Sequence, residues 1–472
     1  MSEDFDDIDD TDLNKLIQRF EDCITTKQGC FFDIDELLEV IDYYFAVDEN
    51  KKIKSAINLA LQLYPNEIEI LIRKAQVIAQ DKTPDEAINF LLKFKEFNPE
   101  DPDLLFALAS LYSQSGRRAK AIENYKKLLV QDNQDIEVYS SLGEEYFAIE
   151  NYDAAVKIYK KALNIEPTNS TLLQPFAYAS QYIKNPNLSI EFLKKLCKKN
   201  PFSEQNWIGY GLALYYTEKY FDAITALELA LAINDKNPIS HLYKAQSLIA
   251  IDNVKEGISS LHDAHRIDPT EPLVLFFLGQ AHEKQNNWTA AASYYKDCIK
   301  FDQFNSDAWI GVGMCYFEQD DFHSAEPYII KAIEIEPTNV QHRLAYAEML
   351  YKENYIEKSE ELYQTLYEEG NELALVTINW ALVMDSSNKS MDAIHLLRET
   401  IDNNKIDEPS LYFNFIELSL KEDYLKDHLI DYVFKLLFEF DITIEMIEKH
   451  CPTLLISPQY ETLIKTYIDE KN

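Results

Sequence analysis

Small side chains recur every 34 residues through most of this 472-residue chain, and that period constrains its architecture more than any other feature. A ruler laid from Ile34 gives eleven consecutive windows without insertion, the last starting at Ala374 and ending at Asp407. Position 8 of the windows holds Ile41, Ala75, Ala109, Gly143, Ala177, Gly211, Ala245, Gly279, Gly313, Ala347 and Ala381. Position 20 holds Ile53, Ala87, Ala121, Ala155, Ser189, Ala223, Gly257, Ala291, Ala325, Ser359 and Ala393. Only the first window lacks a small residue at these sites. Pro65, Pro99, Pro167, Pro201, Pro269 and Pro337 share position 32. Two helices cross closely only where side chains are small, and a proline just past the second helix stops it. The period therefore predicts an all-α solenoid of stacked helix pairs.

The pattern resembles the tetratricopeptide repeat family over residues 34–407, about four-fifths of the chain. Window 136–169 carries it most fully, with Tyr139, Leu142, Gly143, Tyr146, Ala155, Tyr159, Ala162 and Pro167 at the signature positions. Window 306–339 is similar, with Trp309, Gly313, Tyr316, Ala325, Ala332 and Pro337. The resemblance implies a right-handed superhelix of helix-turn-helix units whose first helices line a concave groove. It implies no chemistry, because one scaffold serves many tasks.

The ends depart from the period. Residues 1–12 contain seven carboxylates and no cation, which predicts a disordered acidic tail. Apolar residues at 13, 16, 17, 20 and 24 follow helical spacing, so residues 1–33 are read as that tail plus an N-terminal capping helix. A twelfth window would put Phe415 and Asp427 where small residues belong, so 408–472 are read as a degenerate repeat and capping helices. Helices are expected near Leu411–Leu420 and Tyr432–Phe440. The latter is too apolar to stay bare, so the last helix or a partner should cover it.

Acidic residues outnumber basic ones 81 to 45, a formal charge of −36. Such a surface repels phosphate and anionic lipid, which argues against nucleic-acid and membrane partners and allows a basic one. The six cysteines form no CxxC pair, and Cys298 falls at a packing position, consistent with reduced thiols in the cytoplasm. The longest apolar run, Leu273 to Leu278, is far too short to span a membrane.

No catalytic, cofactor or metal motif emerges. Gly209–Tyr210–Gly211 and Gly311–Val312–Gly313 look like phosphate-loop fragments but fall inside predicted helices. His262 and His265 share a helix face but lack further ligands at metal spacing. The groove is more informative. By the family resemblance it is lined by positions 2, 5, 9, 12 and 13. The first four repeats place Asp35, Asp42, Glu69, Asp103, Glu137 and Glu144 there. Repeats five to nine place Tyr178, Ile208, Leu212, Tyr215, Leu242, Phe276, Ile310, Met314 and Phe317 there. An acidic mouth leading to an apolar middle is one reading; half-burial of positions 5 and 12 between neighbouring helices is the other. The clamp of chaperone-tail binders is absent, since position 5 holds Leu38, Ile72, Phe106 and Ser140. The asparagine ladder of the sugar-transferase type is absent too, with only Asn379 fitting. Pro175 falls within the fifth first helix and should bend or delay it, as a hinge or as simple repeat degeneration.

These features predict a non-enzymatic scaffold that holds a protein or peptide with basic and apolar segments. The alternative is a regulatory or adaptor subunit bound by its ends or convex face, with homo-oligomerisation through terminal repeats left open.

Overall fold

The computed structural model describes residues 6–26, 31–95, 97–370, 372–404, 406, 408–424, 429–440 and 442–471. It is all-α, with no strand among the described residues. The 34-residue ruler fixes the helix starts. First helices begin at residues 34, 68, 102, 136, 170, 204, 238, 272, 306 and 340, the eleventh one residue early at Leu373. Each is followed by a second helix, as in Ile136–Ala148 with Tyr152–Ile165. The sequence therefore folds as a helical-repeat solenoid, which divides into two compact units, Met1–Ile251 and Asp252–Asn472.

Local chemistry explains these starts. The residue before many first helices is a short polar one whose side chain accepts from a backbone N–H of the first turn: Asp101, Asp135, Asn169, Ser203, Asn237, Asn305 and Asn339. Asp33 forms a full capping box with Glu36. Between the two helices of a repeat the chain turns through a left-handed residue at position 15. Asp48, Gly116, Glu150, Glu218, Asp252, Asn286, Asp320, Asn354 and Asn388 all take it.

The small residues at position 8 are notches for a bulky residue at position 24 of the same repeat. At Gly143 even a Cβ would overlap the Tyr159 ring; at Gly279 it would lie 2.5 Å from Tyr295 Cε1, and at Gly211 2.7 Å from Leu227 Cγ. Tyr125, Tyr159, Leu193, Leu227, Leu261, Tyr295, Ile329, Tyr363 and Leu397 fill that role and are all buried. Within each unit, second helices pack on the next first helix, and neighbouring first helices also touch one another. First helices thus form the more closely packed face.

The N-terminal helix spans Asp6–Thr26 and takes in residues 6–12, read from sequence as disordered tail; Met1 to Phe5 lie outside the described residues. Its Phe20 is buried against Phe32 and Tyr44, at 6.2 and 5.8 Å between ring centroids, so the helix packs onto the first repeat. At the other end, helices Pro409–Lys421 and Leu429–Phe438 match the expected pair within a few residues. Phe415, Val433, Leu436 and Leu437 are buried in one C-terminal core. The last helix, Glu461–Lys471, helps to cover it through a Phe438–Tyr467 edge contact at 5.9 Å. Asp427 lies outside the described residues.

Pro175 does not interrupt its helix, which is nonetheless short. The first helix of repeat 5 ends at Ala179 and gives way to a 3₁₀ turn, Ser180–Tyr182. Buried Ser180 also donates its hydroxyl to the Phe176 carbonyl at 2.7 Å, an acceptor its own backbone N–H reaches as well.

Candidate protein-binding face

The acidic positions come together only in part. First helices of repeats 2, 3 and 4 enclose a cleft of about 560 Å³ in the first unit, lined by Glu69, Arg73, Asp103, Phe106 and Glu137 among others. Glu69, Asp103 and Glu137 are exposed, one per repeat, because position 2 lies in the first turn of each helix. That location also suits them to the helix N-terminus, where a carboxylate is favoured by the backbone dipole. Asp42 is not available in the same way. Arg73 grips it with two bonds, Nε to Oδ1 at 2.8 Å and Nη2 to Oδ2 at 2.7 Å, and also lies 3.9 Å from Glu69. The Asp42 carboxylate in turn raises the Arg73 pKa, holding the guanidinium protonated. Asp35 and Glu144 are exposed but do not line the cleft.

The apolar set requires a correction. Leu212 is 1%, Leu242 4% and Phe317 8% exposed, so these three belong to the core rather than to an open groove. Positions 5, 9 and 12 lie where neighbouring first helices touch, and a large aliphatic or aromatic side chain there sinks between them. Ile208 and Tyr215 in the first unit, and Phe276, Ile310 and Met314 in the second, are half-buried. Phe276 packs on Tyr295 at 5.7 Å, while Ile310 and Met314 pack around Phe317. Tyr178 is the one member of the set that is exposed, at 37%.

Tyr178 also leads to residues that position arithmetic did not reach. Its ring lies 5.5 Å from Phe147, 5.7 Å from Tyr182 and 5.0 Å from Tyr216. Tyr182 stacks on Tyr152 at 4.4 Å, and Tyr216 continues through Tyr215 to Tyr243 and Tyr220. The Tyr182 hydroxyl donates to that of Tyr178 at 3.1 Å, and Tyr216 and Tyr243 share a hydrogen bond at 2.9 Å. The first bond pushes the Tyr182 pKa up to about 12; burial, first among the causes, raises Tyr215 and Tyr216. Tyr182, Tyr215 and Tyr216 therefore stay neutral phenols at physiological pH. A sequence signal existed: aromatics crowd positions 12 and 13 of repeats 4 to 6, with Tyr152 and Tyr220 at position 17. The 3₁₀ turn that follows this helix carries Tyr182 onto Tyr152, and sequence spacing does not show that.

The remaining sequence candidates are packing features. Gly209 and Gly311 face Leu173 and Tyr295 from within helices. His262 lies 6.5 Å from His282, which stacks on Tyr294 at 5.4 Å, and burial lowers both histidine pKa values. Burial raises the thiol pKa of Cys298 to about 11 and of Cys197 and Cys315 to about 12, so these are inert at neutral pH. Cys30 lies outside the described residues.

A second cleft, of about 680 Å³, lies between the second helices of repeats 9 and 10, with the first helix of repeat 10 contributing to its wall. Ile330, Ile333, Pro337, Leu350 and Leu362 line it, with Arg343, Lys358 and Glu361 among its polar residues.

The helix pairs and their register define the class, and comparison with known proteins agrees. Two family models described as tetratricopeptide repeat match, one at residues 136–169 and 306–339, the other at 104–137 and 274–303. The first pair coincides with two windows of the ruler. This is a tetratricopeptide-repeat protein. Among curated relatives it is 22% identical over 343 residues to TPR repeat-containing protein YpiA of Bacillus subtilis, covering 72% of each chain. It is 22% identical over 280 residues to BBSome complex member BBS4 of Bos taurus, covering 59% of this chain and 53% of that protein. To anaphase-promoting complex subunit 3 of Schizosaccharomyces pombe it is 19% identical, covering 67% of this chain and 50% of that one. The chain thus spans only about half of the latter two. Among solved structures, that of yeast Tom70 aligns over 92% of this chain and 95% of its own, at 16% identity and a TM-score of 0.46.

Proposed function

We propose that this protein is a non-enzymatic scaffold that binds a protein partner on its first-helix face, with the cleft of repeats 2 to 4 as the entry point. One observation carries the reading: Glu69, Asp103 and Glu137, one from each successive first helix, line a single cleft. Backbone-regular carboxylates at that spacing suit a segment bearing spaced Lys or Arg. Apolar wall residues such as Ile72 and Phe106 supply the contact area that charge alone does not. The net charge of −36 favours encounter with a basic partner. Two relatives, a BBSome member and an anaphase-promoting complex subunit, are by name parts of assemblies, which supports a role within one. The buried thiols support a reducing cytoplasmic setting.

A second reading, an adaptor bound through its second-helix face, is favoured by the apolar cleft of repeats 9 and 10. Native co-purification with mass spectrometry separates the two. The wild-type chain should bring down a partner that a Glu69→Lys, Asp103→Lys, Glu137→Lys variant loses. If that triple variant retains the partner while Ile333→Asp with Leu362→Asp releases it, the second reading holds and the first fails.

A further inference from the structure

We propose that the tyrosine cluster of repeats 4 to 7 is a guanidinium-binding site that receives arginine side chains of a basic partner segment. The inference rests on the first-helix face being the binding face and names the chemistry recognised beyond the acidic cleft.

Three observations point to a cation. First, rings of the cluster reach the surface. Tyr178 and Tyr182 are 37% and 48% exposed, and Tyr152 and Tyr216 are half-buried beside them. Aromatic faces carry negative potential and hold a planar guanidinium by stacking and cation–π attraction. Second, aromatic rings elsewhere already have an internal cation, as with Arg19 over Phe32 at 4.5 Å and Lys296 over Tyr316 at 4.7 Å. Among the described residues no Lys or Arg lies over a ring of this cluster.

Third, exposed carboxylates stand beside the cluster. The first helices of repeats 4, 5 and 6 contain no Lys or Arg but do contain Glu137, Glu144, Glu145 and Glu204. Exposed Glu150 and Glu218 follow the helix ends that carry Phe147 and Tyr216. Helix C-termini add partial negative charge at the same place. Two lysines occupy the flanking turns: exposed Lys184, and Lys219, which is tied to Asn187 at 2.5 Å. Phenolic hydroxyls and carboxylates around ring faces match the in-plane donors of arginine better than the point charge of lysine.

The test uses the full chain and titration calorimetry with three synthetic peptides: alternating arginine and serine, the same with lysine, and the same with citrulline. Their affinities should fall in that order. A Tyr178→Leu, Tyr182→Leu variant should lose about tenfold in affinity for the arginine peptide, the scale of a cation–π site, and little for the lysine peptide. Tyr182→Phe, which keeps the ring, should bind nearly as wild type. Equal affinity for arginine and lysine peptides, unchanged in the leucine variant, would overturn the arginine site yet leave the acidic first-helix reading standing. Binding that also survives Glu69→Gln, Asp103→Gln, Glu137→Gln would overturn both. A polyproline peptide that binds more tightly than the arginine peptide, and is lost in the leucine variant, would assign the cluster to proline-rich segments and overturn this proposal. Absence of binding by the arginine peptide would overturn it as well.

Discussion

The two units place different side chains on their candidate surfaces. In the first, Glu69, Asp103, Glu137 and Tyr178 are exposed on first helices, although Leu212 and Leu242 are buried there. In the second, Phe276, Ile310 and Met314 are half-buried and Phe317 is buried, while the apolar cleft is lined largely by second helices. Each unit also carries a proline inside a helix near its candidate surface, Pro175 in a first helix and Pro327 in a second. Repeat position determines where a Cα stands. Whether the side chain serves surface or core depends on its size and on its neighbours. Charged residues at position 2 remain in water, whereas large apolar ones at positions 9 and 12 are drawn between helices by the gain of burial.

This contrast breaks most sharply at its buried end. Phe317→Ala should destabilise the second unit by about 3–5 kcal/mol, the cost of removing a core aromatic, whereas Tyr178→Ala should cost far less. Thermal unfolding of both variants decides it. Equal, small effects would return Phe317 to the surface and restore the groove expected from sequence.

Gly143→Leu comes next, at about 1–3 kcal/mol from overpacking against Tyr159. Because each repeat couples to its neighbours, the transition should broaden or split, visible by calorimetry as loss of a single sharp peak. Asn354, in a left-handed turn rather than a notch, should tolerate Gly with almost no change.

Acidification sharpens the comparison through the second unit. Burial depresses the pKa of His262 and His282 below the ordinary 6.5. Unfolded imidazoles therefore take up protons first, so stability should decline as pH falls through about 6.5 and level off below the folded values. Replacing both histidines with Phe should flatten that part of the pH profile, measured as midpoint temperature against pH. An unchanged profile would mean that neither histidine is desolvated in the fold.

Much of this was legible in the sequence, for a physical reason. A notch needs a small residue wherever it occurs, so the 34-residue period survived at positions 8 and 20 and fixed the helix starts. The N-terminal helix was legible in part, since Leu16, Ile17 and Phe20 repeat at helical spacing, but its acidic start at 6–12 was not. The site was legible in part. Three carboxylates of the cleft followed from position alone, but the Asp42–Arg73 pair did not, because it joins neighbouring repeats through one long side chain. Leu212 and Phe317 were misassigned because position numbers do not report depth. The tyrosine cluster escaped because its members come from six different helices and a 3₁₀ turn, brought together only by packing.

The central claim is that a partner engages the first-helix face at repeats 2 to 4. Site-specific photo-crosslinking in native lysate tests it most directly, with p-benzoylphenylalanine placed at Asp103 or, separately, at Leu362. The account predicts one discrete protein adduct from position 103, suppressed by raised salt because exposed charges steer that encounter, and none from position 362. An adduct from position 362 alone would contradict it and move the interface to the second-helix cleft.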